Sequence, residues 1–326
     1  MDEETMTPLA NRLKSLTFDH PETIPVSGGI LPAAWMKYRE RLDEIADRYP
    51  AVFGRQRVPD RDYDAVGGTY VEGDHPDAWG YVWHNIKTGM EAFVTGHPVT
   101  TRAAVHRLKA PEENTGFPHG FMFLRLTYLR GFEEAMIDFA EEPPELQMLI
   151  DVVLDYCLRQ AEIRLADLPD PPAVVSFGDD LGMQDALPIS PEKWRRYVKP
   201  CFEQIYRPFR DAGHFVYMHT DGHILEIIPD LIDCGVNIVN PQVGANGIEN
   251  LARTCKGKVC VDLDLDRQLF PYWTPQEIDA HIREAVETLG SPEGGLWLKA
   301  ELGEDIPIEN IEAICAALEE HRFAYS

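Results

Sequence analysis

Two side chains with the chemistry of metal ligands leave one predicted strand on the same side. The apolar run HFVYMH (214–219) is typical of a buried strand, and it continues as His219-Thr220-Asp221. Because side chains two positions apart on a strand point to the same face, the imidazole of His219 and the carboxylate of Asp221 can converge on one cation. The alternative is that Asp221 or a helix end hydrogen-bonds His219 and that no ion is bound.

Glu301 is the candidate for a third ligand. It follows the last apolar run, GLWLKA (295–300), which a closed barrel would place next to the other strands. Three protein ligands with an open position are the usual arrangement of catalytic zinc, and the oxygen donors of a His/Asp/Glu set would also suit Mn or Fe. If Asp221 only supports the imidazole, the ligand set has to be rebuilt from Asp180, Asp262 or Asp264.

Further polar groups follow the other apolar runs, and a barrel would bring them to the same end. Asp180 and Asp264 are predicted to be catalytic, as acid–base or orienting groups. The residues predicted to contact substrate are Asp179, Asn240, Gln242, Lys299, Arg125 and Trp83. Two alternatives stay open. One of the adjacent residues Asp179 and Asp180 can instead cap a loop, and the polar groups after the strands can be the ordinary polar surface of loops rather than a functional site.

Alternating strands and helices are predicted to position these groups. Five apolar runs after residue 170 have the continuous hydrophobicity of strands buried on both faces: 173–178, 214–219, 236–240, 258–263 and 295–300. Helices are predicted to begin at Ser190-Pro191 and at Thr274-Pro275, where a capping hydroxyl precedes a proline. Residues 145–167 carry one apolar stripe at helical spacing.

The N-terminal half completes a predicted (β/α)8 barrel of the TIM type. Strands are predicted at 24–30 and at FMFLRL (121–126), each followed by a helix, and WGYVW (79–83) suggests a hairpin. One strand within 60–120 brings the total to eight. The barrel is predicted to be a single domain over 1–326, with 1–20 as an extension and 55–120 as inserted loops. An open doubly wound sheet is the alternative, but no glycine-rich phosphate loop follows any strand.

Composition excludes several classes of partner. The 326 residues carry 55 acidic and 30 basic side chains, a net charge of −25, which would repel nucleic acid and anionic membranes. No apolar run approaches the roughly 18 residues of a membrane span, and the N-terminal sequence is typical of a cytoplasmic protein. The six cysteines form no CxxC pair, which favours structural thiols over a zinc ribbon or a disulfide framework.

Residues 176–241 and 294–318 resemble the uroporphyrinogen decarboxylase superfamily, with a looser similarity over 24–140. This superfamily includes the decarboxylase and zinc-dependent methyltransferases that work with corrinoid proteins. The resemblance implies a (β/α)8 barrel and a homodimer. It argues against porphyrin decarboxylation, since Gly28–Trp35 lacks the family's paired arginines and Ala300-Glu301 replaces its Gly-His-Gly segment.

The methyltransferase branch is more similar to this chain. Its pattern is His-x-Cys-Gly after one strand and a late Cys, all at a zinc site. This chain keeps His219 and Gly222, has Asp221 in place of the first Cys, and has Glu301 near the late one. The resemblance therefore implies a harder and more Lewis-acidic site, which suits polarising an oxygen better than alkylating a thiol.

Three functions follow as hypotheses. The first is a metal-assisted methyltransferase or demethylase that acts on a small methoxy or carboxylate substrate, with zinc, Mn or Fe bound and with a corrinoid only through a partner protein. The second is a metal-free decarboxylase or other lyase that binds a small carboxylate through Arg125, Arg130 or Lys299. The third is a barrel that binds a ligand without catalysis.

Overall fold

The computed structural model describes residues 6–54 and 58–325, which form two compact units. The first unit draws on Met1–Glu72, Ile86–Glu91 and Pro241–Ser326, and the second on Gly73–Asn85 and Ala92–Asn240. Residues 1–5 of the predicted extension and 55–57 of the predicted insertion lie outside the described part. The single domain over 1–326 stays a prediction.

Nine strands occur in the described residues. In chain order they are β1 (Val26–Ile30), β2 (Gly73–Pro76), β3 (Val82–Asn85), β4 (Phe93–Gly96), β5 (Val174–Gly178), β6 (Phe215–Thr220), β7 (Val236–Pro241), β8 (Cys260–Asp264) and β9 (Leu296–Leu302). All five strands predicted after residue 170, and the one predicted at 24–30, are present within two residues of the predicted starts.

The helices follow in the same order. They are α1 (Pro8–Leu16), α2 (Pro32–Tyr38), α3 (Glu40–Arg48), α4 (Pro50–Phe53), α5 (Phe123–Arg130), α6 (Phe132–Glu141), α7 (Pro144–Ala166), α8 (Pro191–Tyr197), α9 (Lys199–Asp211), α10 (Ile228–Cys234), α11 (Val243–Asn246), α12 (Ile248–Cys255), α13 (Pro275–Leu289) and α14 (Ile308–His321). Short 3-10 helices lie at Gly68–Tyr70 and Arg102–Arg107. Among these helices, none combines the length and the hydropathy that crossing a lipid bilayer requires.

The first unit contains three parallel strands in the order β1-β9-β8. Every residue of β8 is buried, as expected of a strand that is covered on both faces. Helix α13 begins at the predicted cap, where the Thr274 hydroxyl accepts from the backbone of Glu277 and the Glu277 carboxylate accepts from the backbone of Thr274 at 2.7 Å.

The second unit contains parallel strands β5, β6 and β7, with β6 in the middle, and a separate antiparallel sheet β2-β3-β4. The antiparallel sheet confirms that the chain turns back on itself around WGYVW. The predicted start of α8 is also confirmed, because the Ser190 hydroxyl accepts from the backbone N–H of Lys193 at 3.3 Å.

The structure corrects the strand count of the predicted barrel. The described residues show an α/β fold with six parallel strands rather than eight. FMFLRL, predicted as a strand, belongs to the start of helix α5, and the strands within 60–120 pair only with one another. A short apolar run does not distinguish a strand from a buried helix, and here the carboxylate of Asp179, directly after β5, caps the helix start.

All six cysteines are buried thiols without disulfides, as the sequence predicts for structural cysteines. Burial raises the pKa of Cys157 to about 12, and the Cys157 thiol donates to the carbonyl of Phe121 at 3.2 Å. Such thiols stay protonated at neutral pH, so they pack as small apolar groups rather than act as nucleophiles or metal ligands.

Candidate metal centre

Three side chains of the second unit form a cluster with the chemistry of a metal site. His119 lies in the loop before α5, Asp180 follows β5, and His219 lies near the end of β6. One ligand atom from each lies within 4.8 Å of the other two. Nε2 of His119 is 3.0 Å from Oδ2 of Asp180, and the two imidazole ring centres are 5.5 Å apart.

The parallel register of β5 and β6 brings the cluster together. Gly178 pairs with His219, so the residues that follow β5 lie beside the end of β6. The backbone N–H of Asp179 donates to the carbonyl of His219 at 3.0 Å, which continues the pairing beyond the strand. The side chain of Asp180 thereby reaches the imidazole of His219 without any long loop.

Gly178 allows the His119 loop to lie against the end of β5. The backbone N–H of Gly120 donates to the carbonyl of Gly178 at 2.8 Å. A Cβ atom added at Gly178 would stand 2.7 Å from Nδ1 of His119, which is closer than side-chain contacts allow. The position of His119 therefore depends on the absence of a side chain at Gly178.

Asp179 points away from the cluster and holds α5. Its carboxylate is fully buried and accepts from the backbone N–H groups of Met122, Phe123 and Leu124. These are donors of the first helical turn, which no carbonyl of the helix can satisfy. Burial, partly offset by these bonds, raises the pKa of Asp179 to about 6.

Asn240 orients the imidazole of His219. Its amide oxygen, on the buried end of β7, lies 2.7 Å from Nδ1 of His219. Donation from Nδ1 leaves the lone pair of the neutral ring on Nε2, which is the state a metal ligand requires. Oδ1 of Asp221 lies 3.4 Å from Nε2, and the backbone N–H of Asp221 donates to Asp180 at 3.0 Å.

The charges within the cluster shift two titrations in opposite directions. Burial lowers the pKa of His119, but the hydrogen bond and charge of Asp180, with the charges of Asp179 and Asp221, outweigh it, so that the pKa is raised. For Asp180, burial acts to raise the pKa. The hydrogen bond and charge of His119 outweigh this effect, together with the backbone N–H of Asp221 and the charge of His219, so the net effect is a lowered pKa. The cluster thus keeps an ionised carboxylate beside two imidazoles.

Four residues of the sequence-based prediction lie in the first unit. Glu301 is on β9 and is ion-paired with Arg267. Asp264, at the end of β8, pairs in register with Lys299 and bridges to Gln242. The ligand set His219, Asp221 and Glu301 draws on both units and stays a prediction.

The remaining two predicted residues lie in the second unit. Trp83 packs edge-on against Tyr128, with ring centres 5.1 Å apart, as expected in a hairpin that covers a helix. Arg125, on α5, is buried at 2% exposure with its guanidinium carbon 5.2 Å from the centre of the Trp79 ring.

His119 is the residue of the cluster that the sequence did not indicate. It lies in a loop that follows no apolar run and shows no helical or strand periodicity. Its partner Asp180 is 61 positions away, and only the backbone approach at Gly178 brings the two together. The strand-end rule that selected Asp180 and His219 does not apply to such a loop.

Parallel strands with helices between them, and a His/Asp/His cluster beside the ends of β5 and β6, define an α/β protein with a candidate metal-dependent site. The family model for uroporphyrinogen decarboxylase (URO-D) matches residues 123–321, more than half of the chain, and the chain belongs to this family. Among solved structures, a methyltransferase from Methanosarcina mazei is similar, with a TM-score of 0.65 and 16% identity over 97% of this chain and 99% of that chain. A comparison with curated proteins gives no match.

Proposed function

We propose that this protein is a metal-assisted enzyme of the methyltransferase or demethylase type, in which His119, Asp180 and His219 hold the metal. The observation that carries the proposal is the convergence of these three ligand atoms within 4.8 Å. Support for the reaction type comes from family membership and from the fold shared with a methyltransferase.

The donor set fits a divalent transition metal. Two imidazoles and one carboxylate leave a coordination position open to a substrate, as in catalytic zinc sites. Zinc is the expected ion, and the same donors also suit Fe or Mn. Asn240 supplies the outer hydrogen bond that ligating histidines require.

The metal would supply Lewis acidity toward an oxygen atom of a methoxy or carboxylate substrate. The chain's own groups account for the rest of the proposed site. The Asp221 carboxylate, 3.4 Å from Nε2 of His219, is placed to hold or return a proton of a substrate bound beside the metal. Tyr128 and Trp83 form an aromatic wall next to the His119 loop, since a Cβ atom at Gly120 would stand 2.8 Å from the Tyr128 ring.

This ligand set replaces two members of the set predicted from sequence. His219 is common to both, whereas His119 and Asp180 take the places given to Asp221 and Glu301. The ion pair with Arg267 gives Glu301 a different partner in the first unit. The corrinoid, the homodimer and the cytoplasmic location implied by sequence and resemblance are kept as parts of the proposal, with the corrinoid carried by a partner protein.

Metal analysis of point variants tests the proposal. Protein loaded with zinc and then desalted should hold about one equivalent, and His119→Ala and His219→Ala should each hold far less. His106→Ala is the matched control, because His106 is a solvent-exposed histidine of the same unit outside the cluster. Less than about 0.1 equivalent in the parent protein, or equal zinc in all variants, would refute the metal site.

A methyl-transfer assay tests the reaction separately. The zinc-loaded protein is incubated without oxygen with methoxy compounds and a free corrinoid reduced to the Co(I) state, and the methyl–Co(III) corrinoid and the demethylated hydroxyl product are measured. Product formed by the parent and lost in His219→Ala supports the proposed reaction. A full equivalent of zinc without any product from methoxy or carboxylate compounds would instead favour a binding protein.

A further inference from the structure

Arg125 is a buried cation that lacks the usual partners of a buried cation. Its side chain is on the inner face of α5 and the residue is only 2% exposed. Nε and Nη1 are buried and have no hydrogen-bond acceptor within the described part of the chain. The neighbouring Arg130, by contrast, is ion-paired with both Asp138 and Glu134.

The groups around Arg125 add donors rather than acceptors. The guanidinium carbon lies 5.2 Å from the ring centre of Trp79 and 5.7 Å from that of Tyr156. Nε1 of Trp79 is likewise buried without an acceptor among the described residues. The hydroxyl of Tyr156 is engaged elsewhere, because it donates to the carbonyl of Glu113 at 3.0 Å and accepts from the backbone N–H of Thr115 at 3.3 Å. Three N–H donors of these two neighbouring side chains thus have no acceptor within the described residues.

Aromatic faces compensate such a cation only in part. Cation–π attraction is weaker than the cost of removing a guanidinium from water, so a buried Arg is normally paired with an anion. A buried donor without an acceptor also costs the full loss of its hydration. The arrangement therefore requires a further group that carries negative charge and accepts hydrogen bonds.

We propose that Arg125 and Trp79 form a binding site for a small monovalent anion, distinct from the metal cluster. The ligand is of the size of a halide or of formate, because the flanking rings of Trp79 and Tyr156 are 4% and 1% exposed and a larger anion would have to displace them. The anion accepts from the guanidinium of Arg125 and from Nε1 of Trp79, and it neutralises the guanidinium. This inference does not depend on the proposed enzymatic function.

Thermal unfolding of the full-length protein in different anions tests the site. At constant ionic strength, replacing gluconate by chloride or formate should raise Tm progressively, since a ligand that binds only the folded state stabilises it by mass action. Arg125→Met should abolish the rise, and Trp79→Phe, which keeps the aromatic ring, should reduce it. Arg159→Met is the control, because Arg159 lies over the same Tyr156 ring but at the surface, and it should keep the full rise.

Two results would overturn the proposal. One is a Tm that is the same in chloride, formate and gluconate. The other is an Arg125→Met variant whose Tm rises in chloride and formate as much as that of the parent, which would show that the anion does not act at Arg125. If Arg125→Met does not fold, crystals of the parent grown with bromide decide the matter. An anomalous peak within hydrogen-bonding distance of Arg125 and Trp79 supports the site, and its absence refutes it.

Discussion

Replacing Gly178 by alanine should separate metal binding from folding. The added Cβ would stand 2.7 Å from Nδ1 of His119, whereas contacts under 3.0 Å essentially never occur and ordinary contacts begin at 3.4 Å, so the imidazole has to retreat by about 0.3 to 0.7 Å. The imidazole is able to move, because the His119 side chain is 45% exposed. The retreat would disturb the 3.0 Å contact between Nε2 of His119 and Oδ2 of Asp180.

The expected cost falls on metal affinity rather than on stability. Misplacing one ligand by this amount should weaken zinc binding by about 10- to 100-fold, the range found for disturbed metal environments. This corresponds to about 1.4 to 2.7 kcal/mol of binding free energy. The free energy of unfolding of the metal-free protein should change by no more than about 1 kcal/mol, because the clash is with the end of a mobile side chain.

Gly29→Ala is the matched control for this substitution. Gly29 lies on β1, and a Cβ atom added there would meet no atom within 4 Å. Zinc affinity is measured by competition with a chromophoric chelator, and stability by urea unfolding of the metal-free proteins. Unchanged zinc affinity in Gly178→Ala would refute the placement of His119 in the metal centre, as would an equal loss in Gly29→Ala.

Three further predictions concern stability and the orientation of the ligands. Asp179→Ala leaves three N–H groups of the first turn of α5 without an acceptor, so urea unfolding should show a loss of about 2 to 4 kcal/mol, and a loss below about 0.5 would contradict that role. Asn240→Leu should weaken zinc binding about 10-fold or more with far-UV circular dichroism unchanged, and full affinity would show that His219 needs no orienting bond. Burial lowers the pKa of His281 below 6.5, so the folded state favours the neutral ring, which accepts from the backbone N–H of Asp266. The contribution of this ring to the free energy of unfolding is therefore fully present above pH 6.5 and declines as the pH falls below it. His281→Gln should remove this part of the decline in urea titrations, and identical pH profiles for both proteins would refute it.

The strands of the second half of the chain could be predicted because their burial leaves a local signal. Residues covered on both faces form continuous apolar runs, and β8 is buried throughout. The run FMFLRL has the same local signal but forms a helix, because the Asp179 carboxylate, more than fifty positions away, accepts from its N–H groups. A contact of that range is not visible in a short segment of sequence.

The candidate site could be predicted in part for the same reason. Asp180 and His219 follow or end apolar strands, so the rule that parallel strands place their carboxyl ends together indicates both. His119 could not be found in this way, since its position depends on the packing of a loop against Gly178. The strand-end rule also selected Asp179, although its side chain points to the opposite side from Asp180 and supports the helix.

A crystal structure of the zinc-loaded protein, with anomalous data at the zinc edge, tests the central claim most directly. The account predicts one strong anomalous peak in the second unit, at about 2.0 to 2.2 Å from an imidazole nitrogen of His119, from Nε2 of His219 and from a carboxylate oxygen of Asp180. A zinc ion bound by His219 without His119 and Asp180, or a peak located elsewhere in the chain, would contradict it.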